Sequence, residues 1–269
     1  MWRLGLVLCL TIAGLPGEVR RDIEYGRAGG VSLRLDAGVP EGAGPFPVVL
    51  IVHGGGWSGG DKAADHTALF QPLTDSKFVW FSVNYRLAPE NRWPACYEDV
   101  KTALGWVRAH AAEYHGDPKR IAILGYSVGG QLASLVTVRS APEERPQAVV
   151  LLSAPTDLIA DTVRRGGLSP SLKGLLGETE LTPLVSRTLY EMSPALFVQR
   201  GLPPFLLVAG TADQSVPYSQ AVHLREVLEK TGVPATLITL PNAPHAIAKW
   251  PQFLPDFAEQ VVSWLRRQL

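Results

Sequence analysis

Ser127 lies in Gly125-Tyr126-Ser127-Val128-Gly129, between the apolar run Arg120-Ile121-Ala122-Ile123-Leu124 and a helical stretch that begins Gly130-Gln131-Leu132-Ala133. A serine between two glycines on a strand-to-helix turn is placed for nucleophilic attack. Without Cβ atoms at 125 and 129, strand and helix can approach closely, and Ser127 can take the strained backbone angles that lift its hydroxyl above the sheet. The first helical amides beyond it, that of Val128 among them, have no acceptor within the helix and can receive a developing negative charge. With 26 glycines in 269 residues, a chance G-x-S-x-G is expected roughly one time in seven, so the surroundings must decide.

The surroundings supply His53-Gly54-Gly55-Gly56-Trp57 directly after the apolar run Val48-Val49-Leu50-Ile51-Val52. Three successive glycines let the main chain come within hydrogen-bonding distance of a bound oxygen, so the amides of Gly55 and Gly56, with that of Val128, are the expected oxyanion hole. A serine also needs a base, and there are six histidines. His53 belongs to the glycine loop, and His66, His110, His115 and His223 lie in polar stretches where a solvated ring is the ordinary outcome. His245 stands apart, in the proline-bounded loop Leu240-Pro241-Asn242-Ala243-Pro244-His245-Ala246 after the strand-like run Ala235 to Leu240. The orienting acid is expected between serine and histidine in the chain. Asp213, in the loop Thr211 to Pro217 after the buried run Pro204 to Gly210, is the choice. Asp157 is the competitor, better suited to capping a helix N-terminus. Trp57 and Tyr126 flank these groups and are expected to bound the substrate pocket.

The elements that must carry these residues read as apolar strands at Val48 to His53, Val79 to Asn84, Arg120 to Leu124, Ala148 to Leu152, Phe205 to Ala209 and Ala235 to Leu240, preceded by a hairpin over Asp22 to Tyr25 and Val31 to Asp36. Helices are expected at Cys96 to His115, Ser127 to Arg139, Tyr218 to Lys230 and Pro255 to Gln268. Continuous apolar strands alternating with helices imply a mostly parallel sheet covered on both faces. Residues 157–201, between two consecutive strands, are too many for a plain crossover and are expected to form a small helical cap over the pocket.

These stretches resemble the α/β-hydrolase esterase and lipase family, over nearly the whole chain from about residue 20. The match rests on HGGGWSGGDK within Pro47 to Lys62, Asn84-Tyr85-Arg86-Leu87-Ala88-Pro89-Glu90, the GYSVGG of Gly125 to Gly130, Gly210-Thr211-Ala212-Asp213 with Val216-Pro217, and Pro244-His245. It is similar to the small bacterial carboxylesterases of the acetylxylan and feruloyl esterase branch. Tyr126 and Val128 depart from the G-D-S-A-G-G of the hormone-sensitive-lipase branch, and Ala243-Pro244 replaces the glycine expected before the histidine. The resemblance implies an α/β-hydrolase fold with an eight-stranded sheet, a serine carboxylic-ester hydrolase forming an acyl-serine, and acetyl or feruloyl esters of plant polysaccharide as substrates. A serine peptidase of the prolyl oligopeptidase type is the alternative, disfavoured because the chain has no room for that group's propeller. A non-catalytic binding protein of the same fold is a second alternative, disfavoured because every catalytic position is kept.

Composition fits one α/β unit over residues 18–269. Hydrophobic residues make up 46% of the chain, and 25 basic residues balance 25 acidic ones, so neither nucleic acid nor an anionic membrane is an expected partner. Residues 1–17, with Arg3 ahead of the apolar run Leu4 to Ala13, read as a secretory signal peptide, giving a secreted or periplasmic protein, with a cytoplasmic one as the alternative. That run is too short to span a membrane. Without it Cys96 is the one remaining thiol and no internal disulfide is expected. No C-x-x-C or H-E-x-x-H pattern calls for a metal, and the chemistry requires no cofactor. The sequence carries no signal for an oligomeric state.

Overall fold

In the computed structural model the described residues are 17–64 and 67–269. The signal-peptide reading of residues 1–17 and the expectation for His66 therefore fall outside the described residues, apart from Gly17. The chain begins with a hairpin, β1 (Glu18–Ala28) and β2 (Val31–Val39). Its two-residue turn is Gly29-Gly30, both with positive φ (56° and 79°), the conformation that matches the right-handed twist of paired strands. β3 (Phe46–Val52), α1 (Thr67–Asp75), β4 (Val79–Val83), α2 (Ala95–His110), β5 (Gly116–Tyr126), α3 (Val128–Arg139) and β6 (Ala148–Leu152) follow. The helices α4 (Leu158–Arg165), α5 (Pro170–Leu176) and α6 (Pro183–Glu191) then precede β7 (Phe205–Gly210), α7 (Tyr218–Lys230), β8 (Ala235–Leu240) and α8 (Phe257–Gln268).

The eight strands form one sheet in the order β1-β2-β4-β3-β5-β6-β7-β8. β2 runs antiparallel to β1 and β4, and the remaining neighbours are parallel. The run Val48 to Val52 is fully buried because the sheet is covered on both sides. Val48, Leu50 and Val52 belong to the core shared with α2, α3 and α7, whereas Val49 and Ile51 belong to the core built with Leu69 and Leu73 of α1 and Phe257, Val261 and Leu265 of α8. Each such fully buried side chain contributes about 1.5–3 kcal/mol relative to exposure. From β3 the chain turns to β4 on one side, and β5 then returns to the other side of β3. The loops leaving β3 and β5 thus diverge at their carboxyl ends and open a crevice there, the switch point at which α/β sheets hold ligands.

Several boundaries differ from expectation for physical reasons. β5 starts at Gly116, which pairs with Phe46; the polar stretch Asp117 to Arg120 then lies in a register shift before Ile121 pairs with Val48, and carries no apolar signal. α2 stops at His110, where a 3-10 turn over Ala111–Tyr114 leads to His115 at φ 58°. α1 has no counterpart among the expected helices: it is nine residues long, contains Pro72, and among its described side chains Leu69 and Leu73 are the fully buried ones.

One buried ion pair braces the region behind the crevice. Arg86, just past β4, meets Asp99 of α2 with Nη2 to Oδ1 at 2.8 Å, Nε to Oδ2 at 2.9 Å, and its amide to Oδ2 at 2.8 Å; Asp99 is 1% exposed. Asp99→Ala would leave the largely buried Arg86 guanidinium with only the exposed Glu98 carboxylate, 3.7 Å away, in place of its close buried partner. It is expected to cost about 3–5 kcal/mol of stability, read from the urea midpoint at unchanged m-value. A loss below about 1 kcal/mol, the range of exposed pairs, would show that water replaces the carboxylate.

Candidate active site

Ser127 occupies the sharp turn between β5 and α3 with φ 53° and ψ −126°, a strained conformation for a residue with a side chain, costing about 1–3 kcal/mol. The glycines around it are required by contact. A Cβ on Gly125 would run into the carbonyl of Gly129, one on Gly129 into the carbonyls of Val52 and His53, and one on Gly130 would lie 2.6 Å from Ala154 Cβ. The turn is fixed to the sheet by the Ser127 amide, which donates to Leu152 O at 2.8 Å.

Two loops from neighbouring strands meet this serine. After β8, His245 places Nε2 3.0 Å from Ser127 Oγ; after β7, Asp213 places Oδ2 2.7 Å from His245 Nδ1. A carboxylate can only accept, so Nδ1 carries the ring proton and Nε2 is the acceptor facing the serine. The Asp213 carboxylate is fully buried. Its other oxygen accepts from the amides of Ser215 and Val216, both at 2.8 Å. Burial pushes this carboxyl's pKa up, but the hydrogen bond from His245, the Val216 amide, the His245 charge and the Ser215 amide outweigh it. The group is held below the ordinary carboxylate range. Asp157 is not part of this chain: its Oδ1 caps α4 by accepting from the Ala160 amide at 2.9 Å, and its Oδ2 lies 3.8 Å from His223 Nε2. Of the other histidines, His110 stacks on Trp106 and His115 is exposed.

The glycine loop lies against the serine from the β3 side. A Cβ on Gly54 would lie 2.8 Å from Tyr126 Cδ1 and 3.2 Å from Ser127 Cβ, so any larger residue would have to push the Tyr126 ring aside. His53 is buried, stacks on Tyr85 with centroids 4.4 Å apart, and donates from Nδ1 to Gly54 O at 2.7 Å, while Tyr85 Oη donates to His53 O at 3.0 Å. In a trans peptide the carbonyl and the next N–H point to opposite sides. With Gly54 O turned toward His53, the Gly55 amide is turned away from it. Trp57 is buried and donates from Nε1 to Gln131 Oε1 at 3.2 Å, and Gln131 Nε2 donates to Met192 O at 2.7 Å, tying the loop to α3 and to the segment after α6. The far end of the loop is pinned by Lys62, whose Nζ lies 3.0 Å from Asp36 Oδ1 and 3.1 Å from Asp22 Oδ1 of the opening hairpin. Burial lowers the Lys62 pKa, but hydrogen bonds to Asp36 and Asp22 more than compensate and raise it.

Gly55, Gly56, Trp57, Tyr126, Ser127, Val128 and His245 all line one cavity of about 540 Å³. Its outer wall comes from α4 and α5, with Leu158, Asp161, Arg165, Ser169, Ser171 and Leu172. Arg165 donates from Nε to Asp161 Oδ2 at 2.7 Å and from Nη2 to Ser215 O, joining this wall to the loop that holds Asp213. These wall residues fall in the segment expected to cap the pocket, but Leu158, Asp161 and Arg165 are not singled out by the sequence. The available signal was a short helix opened by Asp157 and closed by Gly166, with Asp161 and Arg165 one turn apart on one face. Among the described residues, no group of three or more His, Cys, Asp or Glu side chains is arranged to hold a metal ion, and no helix is long and apolar enough to cross a membrane.

Comparison with known proteins gives a consistent result. Residues 35–228 match the family model described as BD-FAE. The chain is 33% identical to the probable carboxylic ester hydrolase LipM of Mycobacterium tuberculosis, over 83% of this chain and 54% of LipM, and so spans about half the length of that relative. It is 31% identical to the carboxylesterase NlhH of the same organism, over 80% of this chain and 70% of NlhH. The acetyl ester-xyloside bifunctional hydrolase of Caldicellulosiruptor lactoaceticus superposes with a TM-score of 0.77 at 25% identity, over 94% of this chain and 96% of that one. By its sequence match and its eight-stranded sheet, this chain belongs to the BD-FAE family of α/β-hydrolase esterases.

Proposed function

We propose that this protein is a carboxylesterase that works through an acyl-serine at Ser127. The observation that carries the reading is the unbroken hydrogen-bonded chain from Asp213 through His245 to Ser127 at the floor of the cavity. Ser127 Oγ attacks the ester carbonyl carbon and gives its proton to His245 Nε2. Asp213 keeps the proton on Nδ1 and stabilises the imidazolium that forms. The carbonyl oxygen, now an anion, is received by the amides of Gly55, Gly56 and Val128, each donor contributing roughly 3 kcal/mol to the barrier reduction. Collapse of the tetrahedral intermediate breaks the bond to the alkoxy oxygen, which leaves as alcohol with the proton from His245. Water then attacks the acyl-serine, gives its proton to the same nitrogen, and releases the acid and free Ser127.

The wall from α4 and α5 acts as a cap, and its chemistry favours esters of short acids with hydroxylated alcohols. Trp57, Gly56 and Leu172 line the cavity together with the polar Asp161, Arg165, Ser169 and Ser171, a division between apolar and polar lining that suits a small acyl group and a hydroxylated alcohol. Acetyl or feruloyl groups on plant polysaccharide fit this division, and the structurally similar Caldicellulosiruptor protein is described as acting on an acetyl ester and a xyloside.

A hydrolysis panel of p-nitrophenyl esters from acetyl to decanoyl, methyl ferulate, acetylated xylan and a prolyl p-nitroanilide tests both levels of the reading. The expected order places acetyl esters and acetylated xylan first, with kcat/KM falling as the acyl chain lengthens. Preference for decanoyl esters would remove the short-acyl assignment, and preference for the anilide would replace esterase by peptidase.

A further inference from the structure

We propose that Tyr126, the residue before the nucleophile, is a positioning residue that holds the main chain of the catalytic histidine through its hydroxyl. The inference rests on the assignment of Ser127 and His245 made above. His245 sits in a loop with exposed neighbours, Asn242 on one side and Ala246 on the other. Such a loop needs anchors if the imidazole is to stay within reach of the serine. Three successive carbonyls provide them. Ala243 O accepts from the Ala212 amide at 3.1 Å, Pro244 O from Trp250 Nε1 at 2.9 Å, and His245 O from Tyr126 Oη at 2.9 Å.

The third anchor differs from the other two in where it comes from. Ala212 and Trp250 belong to the same side of the molecule as the histidine loop, in the β7 loop and the 3-10 turn over Ile247–Gln252. Tyr126 is the last residue of β5, at the centre of the sheet and covalently next to Ser127. Two consecutive residues therefore hold the histidine at two points: Ser127 meets its ring at 3.0 Å and Tyr126 meets its carbonyl at 2.9 Å. The tyrosine ring also packs on the imidazole, with centroids 5.2 Å apart and planes 27° from parallel. On its other side a Cβ at Gly54 would come within 2.8 Å of Tyr126 Cδ1, so the ring occupies a slot between the glycine loop and the base. A phenylalanine would keep that slot filled and lose the tether.

Tyr126→Phe separates the tether from packing and from substrate contact. The expected result is a kcat lower by about ten- to a hundredfold, as for small misplacement of a reacting group. KM is expected to be unchanged, and the factor should be the same for acetyl and butyryl p-nitrophenyl esters and for the rate of fluorophosphonate labelling. Rates are taken per site counted by exhaustive labelling, so a smaller folded fraction is not read as a slower enzyme. A spectroscopic arm is independent of turnover: the far-downfield proton of the His245–Asp213 hydrogen bond should broaden in Y126F and stay sharp in Ser127→Ala. A wild-type kcat with a sharp proton signal would overturn the proposal. So would an effect confined to KM that varies with the acyl group, which would make Tyr126 a substrate contact instead. Inert Ser127→Ala beside a fully active Y126F would sink the tether alone, whereas an active Ser127→Ala would sink the nucleophile assignment beneath it.

Discussion

Ser127→Ala is expected to lower ester turnover by about 10⁴-fold or more while the protein folds as before. The size of the effect follows from the role proposed for the hydroxyl, which is to form and later break the covalent bond to the acyl group while facing His245 Nε2. Without it, the amides of Gly55, Gly56 and Val128 still polarise a bound carbonyl and water can still react slowly, which sets the residual rate. The fold should survive, because the alanine removes one hydroxyl from a turn held by main-chain bonds and by the glycines around it. Steady-state rates with p-nitrophenyl acetate, mass spectrometry after fluorophosphonate treatment and a thermal melt check the three parts. A variant keeping a tenth of the wild-type rate, or still taking one label, would move the nucleophile elsewhere.

Asp213→Asn is expected to have the next largest effect, about 10⁴-fold on kcat. An asparagine amide at the Oδ2 position would donate to His245 Nδ1, transfer the ring proton to Nε2, and remove the acceptor that Ser127 needs. Asp157→Asn is the matched control. Asparagine caps a helix as well as aspartate does, so α4 is kept and turnover should change little. If the Asp157 variant lost more activity than the Asp213 variant, the acid would be misassigned. Asp213→Asn should also change the response to acid. The folded Asp213 carboxyl titrates below the usual range, so its contribution to stability is complete above the unfolded-state pKa and is lost as pH falls through the lower, folded-state value. The Asp213→Asn protein should lack that part of the acid transition.

Ser127, Asp213, His245 and the glycine loop could be found in the sequence because each sits at the end of a strong apolar strand, and because glycine spacing reports close main-chain approach directly. The same logic gave the sheet, since strands buried on both faces leave unbroken runs such as Val48 to Val52. What escaped has weak local signal. α1 carries a proline and a thin buried stripe, and β5 opens with the polar stretch Asp117 to Arg120, which lies in a register shift. The roles of Lys62 with Asp22 and Asp36, of Gln131, and of Arg165 with Ser215 depend on partners up to 74 positions away, and nothing in the neighbouring residues names the partner. Tyr126 lines the pocket as expected of a residue beside Ser127, but its bond to the histidine loop escapes the sequence because the acceptor lies 119 positions along the chain.

The sheet order gives the base an uneven footing. Ser127 rises from β5 in the buried interior, but His245 hangs from β8, an edge strand whose Thr236 and Thr239 are exposed and whose Leu240 alone is fully covered. Edge elements open locally at lower free energy than the centre. Mild denaturant or warming would thus release the base while nucleophile, oxyanion loop and core stay folded, so activity fades ahead of the global transition. The bond from Tyr126 crosses that boundary, mooring the loosest part of the triad to the strand that opens last.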